Sequence, residues 1–317
     1  MEDITPKRIA FLFPGQGSQV VGMGKDVYDE SSSVREIFDM VDEITRCSIS
    51  RLCFEGPMER LTETVHLQPA VTAVNLAFLS LLAENGIRPF VSAGHSLGEY
   101  AALCAAGVLG REDTVRLVFE RGKLMHRESL RNPGAMAAVI GLSLAEVESL
   151  TASVRQQGGI VSVANYNTEF QIVVTGTPEA VAAVNKLAQE QGARAVALKV
   201  SGAWHSELIR GAEAEFSEII DAVDFRKPES SIVLNVTGTM EDDPAAIRKI
   251  MKQQLCSPVR WYPSMQTMLA QKPDVLIEVG PGRVLANMVK QMLPKDAAVQ
   301  VLTTGSLKKL DEVFRLV

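Results

Sequence analysis

The sequence predicts an α/β fold in which a largely parallel sheet is covered by helices on both faces. Short apolar runs alternate with helical patterns through most of the 317 residues, and this alternation is typical of parallel sheets. The pattern changes between residues 134 and 200, where strands and helices follow in the order β-α-β-β-α-β of a ferredoxin-like module. We therefore predict a main domain formed by residues 1–132 and 201–317, with a ferredoxin-like subdomain, residues 133–200, inserted into it.

The first strand is predicted over residues 8–13, an apolar run that ends at Pro14-Gly15. Gly15 and Gly17 begin the pattern of a dinucleotide-binding loop, but Val20 stands where the third glycine of that pattern belongs. We favour a loop that holds a polar side chain, Gln16 or Gln19, over the end of the strand. A simple polar loop is the alternative.

Helical patterns follow over residues 27–82, with breaks expected at Gly56-Pro57 and Gln68-Pro69. A short strand over residues 90–93 then leads into a helix over 99–106, and a second helix is predicted over 112–128. Arg121 lies on this second helix, where a basic side chain is usually solvated.

Between that strand and its helix lies the sequence Gly94-His95-Ser96-Leu97-Gly98, which places a serine at a strand-to-helix turn. A Gly-x-Ser-x-Gly turn exposes the hydroxyl, and its small residues let the strand and helix pack closely. The following helix directs its first amides, including that of Leu97, at a developing oxyanion. Ser96 is therefore a candidate nucleophile; the alternative is a serine that only caps the helix.

A serine hydroxyl needs a base within hydrogen-bond reach, and His205 is the best of the four histidines. It lies in a small-residue turn directly after the last strand of the insert. His95 adjoins Ser96 and is expected to be structural, while His66 and His126 fall in helical patterns. No obvious carboxylate completes a triad, so we expect either one from elsewhere in the chain or a backbone or amide carbonyl to orient the imidazole.

Within the insert, strands are predicted over 135–140, 160–164, 171–175 and 193–200, and helices over 145–154 and 178–189. Ser143 and Glu146 form a capping-box pattern, and Thr177 precedes a proline at the first helical position. Because Ser96 precedes the insert and His205 follows it, we expect the active site in the cleft between insert and main domain.

The main domain then resumes with a helix over 207–223, a strand over 231–236, helices over 244–255 and 263–269, a strand over 274–279, a helix over 284–292 and a final strand over 298–302. Gly280-Pro281-Gly282 precedes the last of these helices. This turn either approaches a phosphate or permits tight packing between strand and helix.

Composition excludes several classes of protein. The hydrophobic fraction of 46% supports a large core, and the net charge of −6, without a Lys/Arg cluster, argues against nucleic-acid binding. We find no apolar run of the roughly 18 residues that span a bilayer and no secretory signal pattern, so we expect no membrane partner and a cytoplasmic protein. The four cysteines lack paired metal-ligand spacing, so free thiols are expected and no metal site.

Taken together, these motifs resemble the malonyl-CoA:acyl carrier protein transacylase family across essentially the whole chain. The matching stretches are Phe13 to Gln19, Gly94 to Tyr100, Arg121-Gly122, Asn165-Tyr166-Asn167, Gly202 to Ser206, Leu255 to Trp261 and Glu278 to Gly282. The resemblance implies an α/β-hydrolase-like parallel-sheet domain carrying a ferredoxin-like insert. It also implies transfer of a malonyl group from malonyl-CoA to the phosphopantetheine thiol of acyl carrier protein, with no metal and no cofactor.

The resemblance assigns a role to each motif residue. It implies that Ser96 attacks the thioester, that His205 is base and then acid, and that the amides of Gln16 and Leu97 hold the oxyanion. It implies that the main-chain carbonyl of Gln254 orients the histidine. Arg121 is expected to bind the malonyl carboxylate through two hydrogen bonds, and Met125 and Asn165 to line the acyl pocket.

Several questions stay open at this level. An acyl hydrolase acting on carrier proteins is one alternative function, which Arg121 argues against, and a catalytically idle docking subunit is another.

Trp204 stands where many relatives carry phenylalanine, and we hypothesise that its larger ring favours malonyl over branched acyl groups. We expect a monomer and a basic docking patch near the cleft. The sequence does not distinguish a fatty-acid from a polyketide carrier protein.

Overall fold

The computed structural model describes residues 7–317, and the first part of the chain builds a helical layer beside two strands. In chain order these elements are β1 Ile9–Phe13, α1 Lys25–Glu30, α2 Ser32–Thr45, α3 Ile49–Glu55, α4 Met58–Thr62, α5 Thr64–Glu84, β2 Val91–Gly94, α6 Gly98–Ala105 and α7 Arg111–Arg131. The predicted strand-to-helix turn around Ser96 is confirmed, because β2 ends and α6 begins on either side of it.

The predicted insert forms its own antiparallel sheet. Its elements are β3 Ala135–Ile140, α8 Leu144–Gln156, β4 Val161–Thr168, β5 Gln171–Gly176, α9 Pro178–Glu190 and β6 Arg194–Ala197. The strand order β4-β5-β3-β6 confirms the ferredoxin-like arrangement. Both predicted caps are present: Ser143 and Glu146 form a reciprocal capping box, and Thr177 caps a helix that starts with Pro178.

The chain then returns to the larger sheet. A 3-10 helix, Glu207–Ala212, is followed by α10 Glu213–Asp221, β7 Ser231–Val233, β8 Met240–Glu241, α11 Pro244–Gln253, α12 Trp261–Ala270, β9 Val275–Glu278, α13 Val284–Met292, β10 Gln300–Thr303 and α14 Leu307–Leu316. The six strands lie in the order β10-β9-β1-β2-β7-β8, parallel except for the edge strand β8. The predicted, largely parallel sheet is therefore confirmed.

Register determines where the site lies. Phe13 at the end of β1 pairs with Gly94 at the end of β2, and Leu12 pairs with Glu278 at the end of β9. The carboxyl ends of these three parallel strands therefore meet at one edge of the sheet, and the loops that follow them converge there.

Separate apolar clusters fill the two faces of the large sheet and the outer face of the small one. Alternation along β3 divides its side chains between two environments. Ala137 and Val139 pack under α8 and α9, whereas Met136 and Ala138 belong to the cluster of the main domain. The inner face of the small sheet thus forms one wall of the space above the ends of β1 and β2.

The structure corrects some predicted boundaries. The break expected at Gln68-Pro69 is wrong, because α5 continues through both residues. Proline removes one helical hydrogen bond, but burial of most side chains along α5, largely against α2 and α7, offsets that loss. The helix predicted over 207–223 begins as a 3-10 turn, and the strand predicted to reach residue 236 ends at Val233. Strand β8 and helix α14 were not predicted.

Helix α5 also bears on the expectation that no apolar run is long enough to span a bilayer. It has 21 residues, and its most apolar 18-residue window has a mean hydropathy of 1.5, so it is long and apolar enough to span a bilayer although polar residues interrupt it. In the structure, 78% of its most apolar window is buried within the protein, as in a core helix.

Candidate active site

Ser96 lies at the top of a tight turn that only small neighbours permit. Its φ angle is 52°, in the left-handed region that side chains other than glycine seldom adopt. A Cβ atom on Gly94 would lie 2.0 Å from the carbonyl carbon of Gly98, and one on Gly98 would lie 2.0 Å from the carbonyl oxygen of Phe13. The two glycines let β2, α6 and β1 approach closely enough to hold the hydroxyl above the sheet.

His205 faces Ser96 directly. Its Nε2 atom is 2.7 Å from Ser96 Oγ, and its own φ of 58° is also left-handed. Its Nδ1 atom lies 2.9 Å from the carbonyl oxygen of Ser257 and 3.2 Å from that of Gln254. Two main-chain carbonyls therefore orient the ring, and the nearer one, on Ser257, was not predicted. A side-chain pattern could not have identified it, because every residue carries this group.

The environment keeps the imidazole neutral. Burial, the positive charge of Arg121 and the neighbouring His95 lower the pKa of His205 to about 3. With Nδ1–H donating to the two carbonyls, Nε2 carries the free lone pair and accepts from the Ser96 hydroxyl. The pair therefore has the geometry of a nucleophile with its general base.

The loop after β1 brings a second backbone amide to the serine. A Cβ on Gly15 would lie 2.4 Å from the carbonyl oxygen of His95, so the loop packs on the turn at a distance that glycine alone allows. Gln16 and Leu97 both line the cavity beside Ser96. Among residues 7–317, neither of their amides donates a hydrogen bond to a protein acceptor. The two amides are thus unengaged donors beside Ser96. The side chain of Gln19, the other residue considered for a polar group over the end of β1, accepts a hydrogen bond from the Gly17 amide.

Arg121 is buried at the base of the same cavity, so the solvated-charge interpretation is wrong. Its side chain is 1% exposed, and Nη2 donates to Gln254 Oε1 at 3.2 Å and to Ser96 Oγ at 3.3 Å. The guanidinium lies over the ring of Tyr100, 5.7 Å from its centre. Within the described range 7–317, Arg121 forms no ion pair with a carboxylate, and its Nε has no hydrogen-bond partner.

The cavity, of about 210 Å³, lies between the two sheets as expected from the positions of Ser96 and His205 in the chain. Seven of the eight predicted site residues line it: Gln16, Ser96, Leu97, Arg121, Met125, Asn165 and His205. The eighth, Gln254, lies behind His205 and Arg121 and contacts both. Trp204 also lines the cavity, together with Met136, Ala138 and Val173 from the inner face of the small sheet.

The His95 side chain bonds to the small sheet and forms no hydrogen bond to Ser96 among residues 7–317. Its Nε2 atom is 2.8 Å from Asn167 Oδ1 on β4, and burial lowers its pKa. Next to this contact, β4 bonds to the loop before α12, because the amide of Val259 donates to Ala164 and the amide of Tyr166 donates to Val259. The small sheet is therefore attached to the segment that carries the Ser257 carbonyl.

Glu99 and Asn235 also belong to the site and were not recognised as site residues from the sequence. Asn235 Oδ1 accepts from the Ser96 amide at 2.7 Å, and its Nδ2 donates to the carbonyl of Gly94 at 2.7 Å. Glu99 is fully buried, and burial raises its pKa to about 7. Glu99 follows the Gly-x-Ser-x-Gly motif directly, which was a usable signal. Asn235 had none.

The Gly280-Pro281-Gly282 turn serves packing. A Cβ on Gly280 would lie 2.0 Å from Asn75 Oδ1, so the turn touches helix α5. The amides at the start of α13, on Leu285 and Ala286, donate to the buried carboxylate of Glu278, whose pKa burial raises to about 7. The anion-binding end of this helix is thus occupied by the protein's own carboxylate.

Comparisons with known proteins agree with this geometry. The model of the acyl transferase domain family matches residues 10–314. The malonyl CoA-acyl carrier protein transacylase of Bacillus subtilis strain 168 is 41% identical over 286 residues, which cover 90% of this chain and 90% of the relative. The enzyme of the same name from Haemophilus influenzae is 36% identical and covers 96% of this chain and 99% of its own.

Solved structures give the same result. An acyl carrier protein S-malonyltransferase from Vibrio cholerae superposes with a TM-score of 0.90 at 36% identity, covering 96% of this chain and 99% of the other. A malonyl-transacylase solved in complex with a type II polyketide acyl carrier protein superposes with a TM-score of 0.92 at 34% identity, covering 97% and 99%. The chain described here therefore belongs to the malonyl-CoA:acyl carrier protein transacylase family.

Proposed function

We propose that Ser96, His205 and Arg121 carry out malonyl transfer from malonyl-CoA to acyl carrier protein, the reaction of this family, for fatty-acid or polyketide synthesis. The observation that carries the proposal is the position of Arg121. Its buried guanidinium touches the nucleophile, has a free donor and lacks a carboxylate partner among residues 7–317. A buried cation of this kind suits an acyl group that itself ends in a carboxylate.

In the first half-reaction, Ser96 Oγ attacks the thioester carbonyl carbon while its proton moves to His205 Nε2. The amides of Gln16 and Leu97 donate to the oxyanion. The carbonyls of Ser257 and Gln254 stabilise the imidazolium, in the place where many serine enzymes use a carboxylate. Collapse of the intermediate breaks the carbon–sulfur bond, the CoA thiolate takes the proton from Nε2, and a malonyl-serine ester remains.

The second half-reaction reverses these steps with a different thiol. The phosphopantetheine thiol of the carrier protein gives its proton to His205 Nε2 and attacks the ester carbonyl. Ser96 then leaves and regains that proton. Arg121 holds the malonyl carboxylate in both halves through parallel hydrogen bonds, while Met125 and Asn165 line the acyl pocket. No step requires a metal or a cofactor.

We further propose that residues 133–200 form a smaller domain that closes the acyl pocket over residues 1–132 and 201–317. The separate apolar cluster of the small sheet supports this division. A monomeric enzyme agrees with the placement of all these groups in one chain. The four free cysteines agree with a reducing compartment such as the cytoplasm.

Intact-protein mass spectrometry tests the proposal. The protein is mixed with malonyl-CoA, with acetyl-CoA as comparison, and a holo acyl carrier protein is then added. We expect a malonyl adduct on Ser96 that is weaker with acetyl-CoA and that moves to the carrier protein. Loss of the adduct to water without the carrier would indicate an acyl hydrolase, and no adduct with either thioester would indicate a docking subunit.

A further inference from the structure

A buried polar network connects Ser96 to Arg121 without passing through the cavity. Its centre is the Glu99 carboxylate on α6, where Oε1 accepts from the amide of Asn235 at 2.7 Å and Oε2 accepts from Gln254 Nε2 at 2.9 Å. Glu99 and Asn235 are fully buried, and Gln254 is 1% exposed. Glu99 does not line the cavity, so any role in the reaction must act through neighbouring groups rather than by contact with the substrate.

Those partners hold the Ser96 residue on both sides. Asn235 Oδ1 accepts from the Ser96 amide at 2.7 Å, while Gln254 Nε2 donates to the Ser96 carbonyl at 2.9 Å. The backbone between these two contacts has the left-handed φ of 52°, a conformation that needs support from its surroundings. The network therefore holds the strained backbone of Ser96 in place.

Gln254 also determines which of its side-chain atoms contacts Arg121. Both oxygens of Glu99 accept hydrogen bonds, and the amide nitrogen of Gln254 donates to one of them and to the Ser96 carbonyl. The amide oxygen must then face the other way, where it accepts from Arg121 Nη2 at 3.2 Å. One donor of the guanidinium is thereby engaged by protein, and the orientation of the whole planar group is defined.

We propose that Glu99 is a positioning residue that sets acyl-group selectivity by orienting Arg121 through the side-chain amide of Gln254. This inference rests on the proposed function, because orientation of Arg121 matters only if that residue binds the acyl carboxylate.

The Glu99→Gln variant tests the direction of the network. A glutamine offers one acceptor and one donor group, so its amide nitrogen must face either the Asn235 amide or Gln254 Nε2. If it faces Gln254, that side chain must turn over, and its nitrogen then meets the donors of Arg121. If it faces Asn235, two buried donors oppose each other beside Ser96.

The measurement is the single-turnover rate of ester formation on Ser96 with malonyl-CoA and with acetyl-CoA. We expect Glu99→Gln to lower the malonyl rate about 10- to 100-fold and the acetyl rate much less, so the malonyl-to-acetyl ratio falls about tenfold or more. A purely structural role would lower both rates by the same factor. An unchanged ratio in Glu99→Gln, together with one in Gln254→Met, overturns the proposal whether or not the absolute rates fall, because Gln254 links Glu99 to Arg121 in either orientation of the new amide.

Glu128→Gln is the matched control. Glu128 is a buried glutamate in the last turn of α7, paired with Arg127 and Arg131, and it does not line the cavity. We expect this variant to keep the wild-type ratio. Gln254→Met is the second variant, in case Glu99→Gln does not fold. It keeps the main-chain carbonyl but removes the amide, so it should lower the ratio too, and a wild-type ratio would again overturn the proposal.

The wild-type protein separates this inference from the proposed function. If wild type forms no malonyl ester on Ser96, the proposed function fails and the role of Glu99 fails with it. If wild type forms the ester and the variants keep its selectivity, only the role of Glu99 fails.

Discussion

Ser96 Oγ and His205 Nε2 lie 2.7 Å apart, and both residues adopt left-handed backbone conformations with φ values of 52° and 58°. Neither is a glycine, so each conformation costs free energy that the surrounding structure must offset. For Ser96, the offset comes from hydrogen bonds of Asn235 to its amide and of Gln254 to its carbonyl. For His205, the main-chain carbonyls of Ser257 and Gln254 bind the imidazole. The proposed catalytic pair is thus built from two strained turns on separate segments.

Replacement of His205 by alanine should remove the general base. We expect the rate of malonyl-serine formation to fall about 10²- to 10⁴-fold while the protein stays folded. Stopped-flow or quenched single-turnover mass spectrometry gives this rate. The control is His66→Asn, since His66 lies outside the cavity and bonds to the carbonyl of Arg60. A His205→Ala enzyme that acylates at the wild-type rate would assign the base elsewhere.

Arg121→Lys should separate acyl selectivity from chemistry. Lysine keeps the positive charge but cannot form two parallel hydrogen bonds to a carboxylate. We expect kcat/KM for malonyl-CoA to fall about 10- to 100-fold, the loss of one charged hydrogen bond, with little loss for acetyl-CoA. Steady-state kinetics with both thioesters measure the effect. Equal losses for the two substrates would show that Arg121 does not bind the malonyl carboxylate.

Trp204→Phe tests the hypothesis about branched acyl groups. The indole is 4% exposed, lines the cavity and packs so closely that a Cβ on Gly202 would lie 2.7 Å from it. Phenylalanine is smaller, so the variant should gain methylmalonyl transfer relative to malonyl by about tenfold, the usual effect of space for one methyl group. Competition between the two thioesters gives the ratio directly. An unchanged ratio would contradict the hypothesis.

Gly98→Ala should destabilise the whole fold. The added Cβ would lie 2.0 Å from the Phe13 carbonyl oxygen, which belongs to the central strand β1 and cannot move freely. We expect a loss of about 1–3 kcal/mol or more in the free energy of unfolding, measured by urea denaturation. Gly110→Ala is the control: its nearest neighbour would be Asp113 Oδ2 at 3.8 Å, so the cost should stay below about 1 kcal/mol. Equal effects would contradict the steric argument.

The pH dependence of stability should reveal the neutral imidazole. The pKa of His205 is about 3 in the folded protein, against about 6.5 when the chain is unfolded. Between these values the unfolded state binds more protons, so stability is full above pH 6.5 and falls as the pH drops toward 3. Relative to His205→Gln, wild type should lose up to about 1.4 kcal/mol per pH unit in that window. Glu99 and Glu278 act in the opposite direction, with pKa values of about 7, but they are common to both proteins and cancel. Parallel stability curves would show that His205 is not buried as a neutral group.

Local signals predicted most of the fold and the candidate reacting groups. The Gly-x-Ser-x-Gly turn and the two helix caps each depend on a few adjacent residues, and the βαββαβ order is a succession of local patterns, so all can be recognised along the chain. Pro69 shows the limit of such signals. A local rule breaks the helix there, whereas burial of the surrounding side chains keeps α5 continuous.

The sequence by itself identified the candidate nucleophile, the candidate base and, through a family resemblance, the cationic residue proposed for the acyl carboxylate. Only the tertiary structure decided how these groups are held. The Ser257 carbonyl, the Asn235 amide and the Glu99 carboxylate act across separations of 52, 139 and 136 residues from their partners. Main-chain carbonyls are present at every position, and a buried carboxylate looks like any other in a helix. Their roles arise from where the sheet ends converge, which no short stretch of sequence encodes.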